Sequence, residues 1–136
     1  MKKIFIFGNG NLSFDDFLYH YYTPIQKELN NTDTHFIICD FRGTDTLLME
    51  LLKTKTDKVS VYHIGKKPRY MPDKYKTLVE KWRFIGGFET DEQRDEQAIK
   101  EATHFLAVDF NSDENRKSGT QKNIEKLIAW QKIEIK

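Results

Sequence analysis

The stretch FLAVDFNSDENRKSGTQKNIEK, Phe105 to Lys126, holds the fold in miniature. It opens on a short apolar run, Phe105–Val108, and crosses a long polar loop. It then enters a segment whose apolar residues, Ile124, Leu127 and Ile128, recur at helical steps. A brief unbroken apolar run reads as a strand covered on both faces, and a stripe at steps of three and four reads as an amphipathic helix. Ser118-Gly119-Thr120 marks the helix start, either as a cap or as a seat for a phosphate. Ser118 and Gln121 fit a capping box, in which side chains satisfy the helix's own amides. A helix N-terminus with a glycine and two hydroxyls also suits an anion, because unpaired N–H groups and the dipole point the same way.

The same strand-then-helix unit recurs along the chain. Apolar runs lie at Ile4–Phe7, Phe36–Cys39, Val59–Ile64 and Phe105–Val108, and Ile133–Ile135 alternates as an edge strand does. Helical stripes lie between them. Phe14, Phe17, Leu18, Tyr21, Ile25 and Leu29 form the first, with Pro24 set to kink or divide it. Leu47, Leu48, Leu51 and Leu52 form the second, and Tyr75, Leu78, Val79 and Trp82 a third. Ala98, Ile99 and Ala102 form a weaker fourth. Trp82 and Trp130 read as packing residues, and Lys66–Tyr75, with two prolines, as a loop. Strands alternating with helices predict one α/β domain over residues 1–136, built on a mainly parallel sheet of about five strands.

Composition narrows the function. The chain has 136 residues, with 22 Lys+Arg against 21 Asp+Glu, a formal net charge of +1. Nucleic-acid binders draw most of their affinity from a basic excess, so nucleic acid is not an expected partner. The single cysteine, Cys39, excludes an intramolecular disulfide and sits in the apolar run FIIC, where a buried inert thiol is expected. His20, His35, His63 and His104 show no metal-ligand spacing, so no metal is expected. The N-terminal apolar run is only IFIF before Gly8, shorter than a signal core, and no segment approaches membrane-span length. A cytoplasmic protein without membrane contact is the expectation.

In parallel α/β sheets, ligands bind beyond the carboxyl ends of the strands. Here those ends carry GNGN (Gly8–Asn11), DFRGTD (Asp40–Asp45), GKKPRY (Gly65–Tyr70) and the loop into SGT. GNGN is not a full G-x-G-x-x-G, because Ser13 occupies the third glycine position, and no dinucleotide cofactor is called for. Ser13 there fits a helix cap equally well. Asp45 can accept from a ribose hydroxyl or stabilise a helix dipole. Arg69 can pair with a phosphate, or be an ordinary exposed arginine.

The order of these signals resembles the SLOG superfamily, a Rossmann-like group that includes the LOG-type proteins and small stand-alone bacterial and phage members. The counterparts are RGTD at Arg42–Asp45, VSVYHIGKKPR at Val59–Arg69, RDEQAIKEATHFLAV at Arg94–Val108 and KSGTQKNI at Lys117–Ile124. The resemblance implies a Rossmann-like three-layer sandwich with a pocket for a nucleotide or nucleotide-derived ligand. It places Gly8 and Asn9 in the first loop and Gly43 and Asp45 in the second. It sets Arg69 and Arg94 against negative charge, and Ser118, Gly119 and Thr120 around a phosphate. It also implies a homo-oligomer.

One departure bears on catalysis. Phosphoribohydrolase-type members carry a glutamate that assists N-glycosidic cleavage, and the matching position here is Asn123. An amide cannot act as a carboxylate base or nucleophile. Three readings stay open: a module that binds a nucleotide-like ligand; an N-glycosidase or deoxyribosyltransferase-like enzyme using Asp95 or Asp45; or an interaction module with a vestigial pocket.

Overall fold

A computed structural model of the chain describes residues 1–135. Its six strands form one all-parallel sheet in the order β4-β3-β2-β1-β5-β6. They are β1 (Lys2–Gly8), β2 (Thr34–Cys39), β3 (Val59–Ile64), β4 (Arg83–Phe88), β5 (His104–Val108) and the two-residue edge strand β6 (Ile133–Glu134). The helices are α1 (Phe14–Phe17), α2 (Thr23–Leu29), α3 (Thr44–Leu52), α4 (Asp91–Glu101) and α5 (Gly119–Ala129).

Pleating sends alternate residues of the central strands to opposite faces. Ile4, Ile6, Phe36, Ile38, Val59 and Val61 pack with Phe17, Tyr21, Ile25, Leu48, Met49 and Leu52 of the segments from α1 to α3. Phe5, Phe7, Ile37, Cys39, Tyr62, Phe105 and Ala107 pack on the other face with Ala98, Ile99 and Ala102 at α4 and Leu127 of α5. The result is a Rossmann-like sandwich of three layers. It explains why β1 to β3 lack polar alternation: each is buried on both sides. Steps from β1 out to β4 cross one face, and the return to β5 and β6 crosses the other, as a single crossover handedness requires.

The first helical stripe is divided, as Pro24 foretold. A π-helical turn, Leu18–Tyr22, separates α1 from α2, and Pro24 stands in the first turn of α2. Proline has no amide to return to the carbonyl four residues back, so the backbone widens just ahead of it. The widened turn still aims Phe17, Tyr21 and Ile25 at the sheet.

Three expectations are corrected. The stripe Tyr75, Leu78, Val79 and Trp82 is not an α-helix: Tyr75 is exposed, and only Val79–Lys81 forms a single 3-10 turn. The chain then enters β4, a sixth strand, whose sequence RFIGGF carries two glycines and little β-branching, so its strand signal is weak. Trp82 is buried and donates from Nε1 to the Thr56 carbonyl at 2.9 Å, whereas Trp130, at the end of α5, is exposed. Among the described residues no helix is long and apolar enough to cross a membrane.

Candidate functional site

The strand order reverses between β1 and β5, so the loops leaving these neighbours diverge toward opposite faces and open a crevice. A cavity of about 440 Å³ lies there. Its walls come from the end of β1 and the loop Asn9–Asn11, from Cys39, Phe41 and Arg42 after β2, and from the first turns of α3, α4 and α5. The volume falls within the range of small-molecule sites.

Glycines set the loops. Gly43 has φ +75, and a Cβ there would stand 2.4 Å from the Gly10 carbonyl oxygen, so the second loop lies directly on the first. Gly43 is not itself part of the cavity wall; it braces the two loops that are. A Cβ on Gly8 would meet the Tyr21 hydroxyl at 2.4 Å. That hydroxyl donates to the Phe7 carbonyl (2.8 Å) and accepts from the Val108 amide (2.9 Å), tying the ends of β1 and β5 together.

Asn9 is a strut. It donates to Asp109 at 2.8 Å and to the Thr120 hydroxyl at 3.3 Å, and accepts from the Phe110 amide at 2.8 Å. Ser118 caps α5, accepting from the Gln121 amide at 3.0 Å while donating to Asp109 at 2.6 Å. The capping box is one-sided, because Gln121 turns its amide to Glu125. Burial would raise the Asp109 pKa, but hydrogen bonds from Ser112, Ser118, Asn9 and the Asn111 amide outweigh it and hold the carboxyl at about 2. Gly119 has open space where a side chain would be, so the backbone at the head of α5 is approachable.

Across the cavity stands a charge cluster centred on Asp40, whose side chain is fully buried. Arg94, 4% exposed, donates to Asp40 at 2.8 Å, and pairs with Asp91 at 3.0 Å and Asp95 at 2.9 Å. Arg69 pairs with Asp40 at 3.3 Å and Asp91 at 2.9 Å, and its backbone amide donates to Asp40 at 3.0 Å. Burial opposes ionisation of Asp40, but the Arg69 bonds and the two guanidinium charges prevail and hold its pKa down. Arg94 thus lines the cavity already neutralised, and Arg69 lies outside the cavity wall.

Asp45 and Asp95 both line the cavity, in different surroundings. Asp95 accepts from Arg94, from Asn123 at 3.0 Å and from the Cys39 thiol at 3.5 Å. Asp45 accepts from the Phe41 amide at 2.9 Å through Oδ2, while Oδ1 is buried without a partner. Burial raises the Asp45 pKa well above the usual carboxylate value; nearby Asp95 and Asp40 add to it, and the Phe41 amide and Arg94 only partly offset it. Cys39 is buried, and burial pushes its thiol well up, which disfavours the thiolate that a nucleophile needs.

Sequence reasoning named Asn9, Asp45, Arg94, Asp95, Ser118, Gly119, Thr120 and Asn123, all of which reach the cavity. It gave no binding role to the rim cations. Arg42 and Arg116 line the cavity from opposite loops, both exposed, and among the described residues neither is in an ion pair. Nor did it name Asp40 or Asp109. A signal for those two was present: FIICD and FLAVD both follow a buried apolar run with aspartate at the carboxyl end of a strand. Among the described residues no cluster of three or more His, Cys, Asp or Glu is arranged to hold a metal ion.

No family model, curated protein or solved structure matches the chain. The cavity itself therefore carries the functional reading.

Proposed function

We propose that this domain binds a nucleotide or nucleotide-derived ligand at the carboxyl edge of the sheet, as a sensor, carrier or sequestering module of SLOG type. The observation that carries the reading is the pair of uncompensated guanidinium groups, Arg42 and Arg116, flanking a cavity that also holds the open amino end of α5 at Gly119. Free arginines beside unpaired helix amides form an anion site, because charge, dipole and donor geometry act together. Asp45 of α3, Asp95 of α4 and Asn123, about one turn along α5, offer directional polar groups to the uncharged part of a ligand. A phosphate between Arg42, Arg116 and the head of α5, with the sugar or base turned toward Asp45, Asp95 and Asn123, matches this lining.

The test is a thermal-shift panel of nucleoside mono-, di- and triphosphates, ADP-ribose, NAD and free nucleosides. Saturation at a hundred times Kd adds about 2.7 kcal/mol, several degrees for a domain of this size. A phosphate-dependent rise that Arg42→Ala and Arg116→Ala both diminish supports the reading. A panel with no shift at millimolar ligand sinks it.

A second reading is N-glycosidic hydrolysis or transfer. Its support is the contrast between two carboxyls on one cavity: Asp95 bonded to Arg94 and Asn123, and Asp45 favoured in its neutral form by burial. Asp95 would activate water or attack the anomeric carbon, and Asp45 would protonate the departing base. Asn123, standing where phosphoribohydrolase-type proteins carry glutamate, orients Asp95 in this scheme. Chromatography of a saturated mixture for free base decides it.

A further inference from the structure

Asp45 is 4% exposed and belongs to the cavity wall, yet Oδ1 has no hydrogen-bond partner. A buried, unpartnered carboxylate oxygen is costly, and the cost falls when the group takes a proton or meets a ligand. The neighbours do not relieve it. Arg94 is committed to Asp40, Asp91 and Asp95, and Asn123 donates its amide to Asp95. Oδ2 already accepts the Phe41 amide, so in the neutral form of the group Oδ2 is the carbonyl-like oxygen and the proton falls to Oδ1.

We propose that Asp45 meets the ligand as a neutral carboxylic acid, donating from Oδ1 to an acceptor without a hydrogen of its own, a carbonyl oxygen or unprotonated ring nitrogen of a heterocyclic base. The assignment rests on the nucleotide reading and deepens it. It reverses the familiar role of an aspartate near the second strand, which is to accept from a ribose hydroxyl. The torsion that orients a carboxyl is broad and roughly two-fold, so Oδ1, buried in the unliganded site, meets a ligand by a turn of the whole carboxyl. A phosphate oxygen is the wrong acceptor at Oδ1, because Asp40, Asp91 and Asp95 already consume the charge of Arg94 on this wall, whereas the cations without an ion pair among the described residues, Arg42 and Arg116, stand on the exposed rim. Buried carboxylic acids kept neutral so that they can donate are an established device of polar recognition.

The test uses the full chain, the nucleoside monophosphates AMP, GMP, CMP and UMP as probes, and two variants. Asparagine keeps an acceptor for Phe41 and a donor in place of the carboxylic proton, so Asp45→Asn should bind the preferred monophosphate within about threefold of wild type. Asp45→Ala should weaken it by about tenfold or more, the loss of one buried hydrogen bond. Infrared difference spectra of unliganded wild type minus Asp45→Asn at pH 7 should show a protonated-carboxyl band. Binding that Asp45→Asn loses as fully as Asp45→Ala, or absence of the band, overturns the assignment and leaves the nucleotide reading standing. If no monophosphate binds wild type, the same two variants are compared on whichever nucleotide the thermal-shift panel returns; if the panel returns none, the nucleotide reading falls and the assignment falls with it.

Discussion

Arg94 and Asp40, 54 residues apart in sequence, form an ion pair of 2.8 Å whose side chains are 4% and 0% exposed. It joins the first turn of α4 to the residue after β2, and of the two partners Arg94 lines the cavity. A buried pair is most sensitive to losing one partner, because the other is left charged without compensation. Arg94→Ala should therefore lower stability by about 3–5 kcal/mol. Pairing Arg94→Met with Asp40→Asn should recover much of that loss. Urea denaturation of Arg94→Met, Asp40→Asn and the double variant measures the coupling; additive losses would contradict it.

Tyr21 and Gly8 hold the crevice open at the switch point. Tyr21→Phe removes a hydroxyl that both donates to Phe7 and accepts from Val108, and should cost about 1–3 kcal/mol because both strand ends lose a partner. Gly8→Ala drives a methyl into the same hydroxyl and should cost a similar amount by overpacking. In the double variant the two effects should be less than additive, which thermal melting can read.

Gly43→Ala is expected to be worse than either. Its φ of +75 disfavours any side chain, and the contact it would make is with the Gly10 backbone, which cannot swing aside. A loss of more than about 2 kcal/mol, together with weakened nucleotide binding, is the expected result. Wild-type melting of this variant would show that the two loops do not rest on one another.

The pH dependence carries opposing signs. Asp109, at about 2, and Asp40, also depressed, contribute stability above the unfolded aspartate value, and that contribution is lost as pH falls through their folded values. Stability should thus drop between about pH 4 and pH 2. Asp45 is raised, so its contribution is complete below the unfolded value and is lost as pH rises from about 4 toward its folded value. Asp109→Asn should flatten the acid limb, and Asp45→Asn should be more stable than wild type at pH 7 but not at pH 3. Urea midpoints across pH 2 to 8 track both limbs.

Arginine substitutions separate ligand contacts from scaffold. Arg116→Ala should weaken binding of a nucleoside phosphate about tenfold or more, the worth of one charge-assisted hydrogen bond, with little change in melting. Arg69→Ala should do the reverse: its charge is spent on Asp40 and Asp91, so stability falls and phosphate affinity changes by less than about threefold. Calorimetric titration of both variants against one nucleotide distinguishes the roles.

The amino-acid sequence by itself determined the alternation of strands and helices, the burial of the central strands on both faces, the caps at Ser13 and Ser118, and the carboxyl edge as the place where polar residues gather. These are local properties: hydrophobic period and cap chemistry are written within a few residues of one another. β4 escaped detection because RFIGGF has neither alternation nor much β-branching, and it joins the sheet only by pairing with β3. Only the tertiary structure decided which charges are free. Arg42, Arg69, Arg94 and Arg116 look alike in sequence, yet Asp40 and Asp91 consume Arg69 and Arg94 from positions 22 to 54 residues distant or one helical turn away. The same holds for Asp45, whose place in the first turn of a helix was legible while the isolation of Oδ1 was not. Charge neutralisation and desolvation depend on what folding brings within hydrogen-bond reach, and no periodicity along the chain encodes that distance.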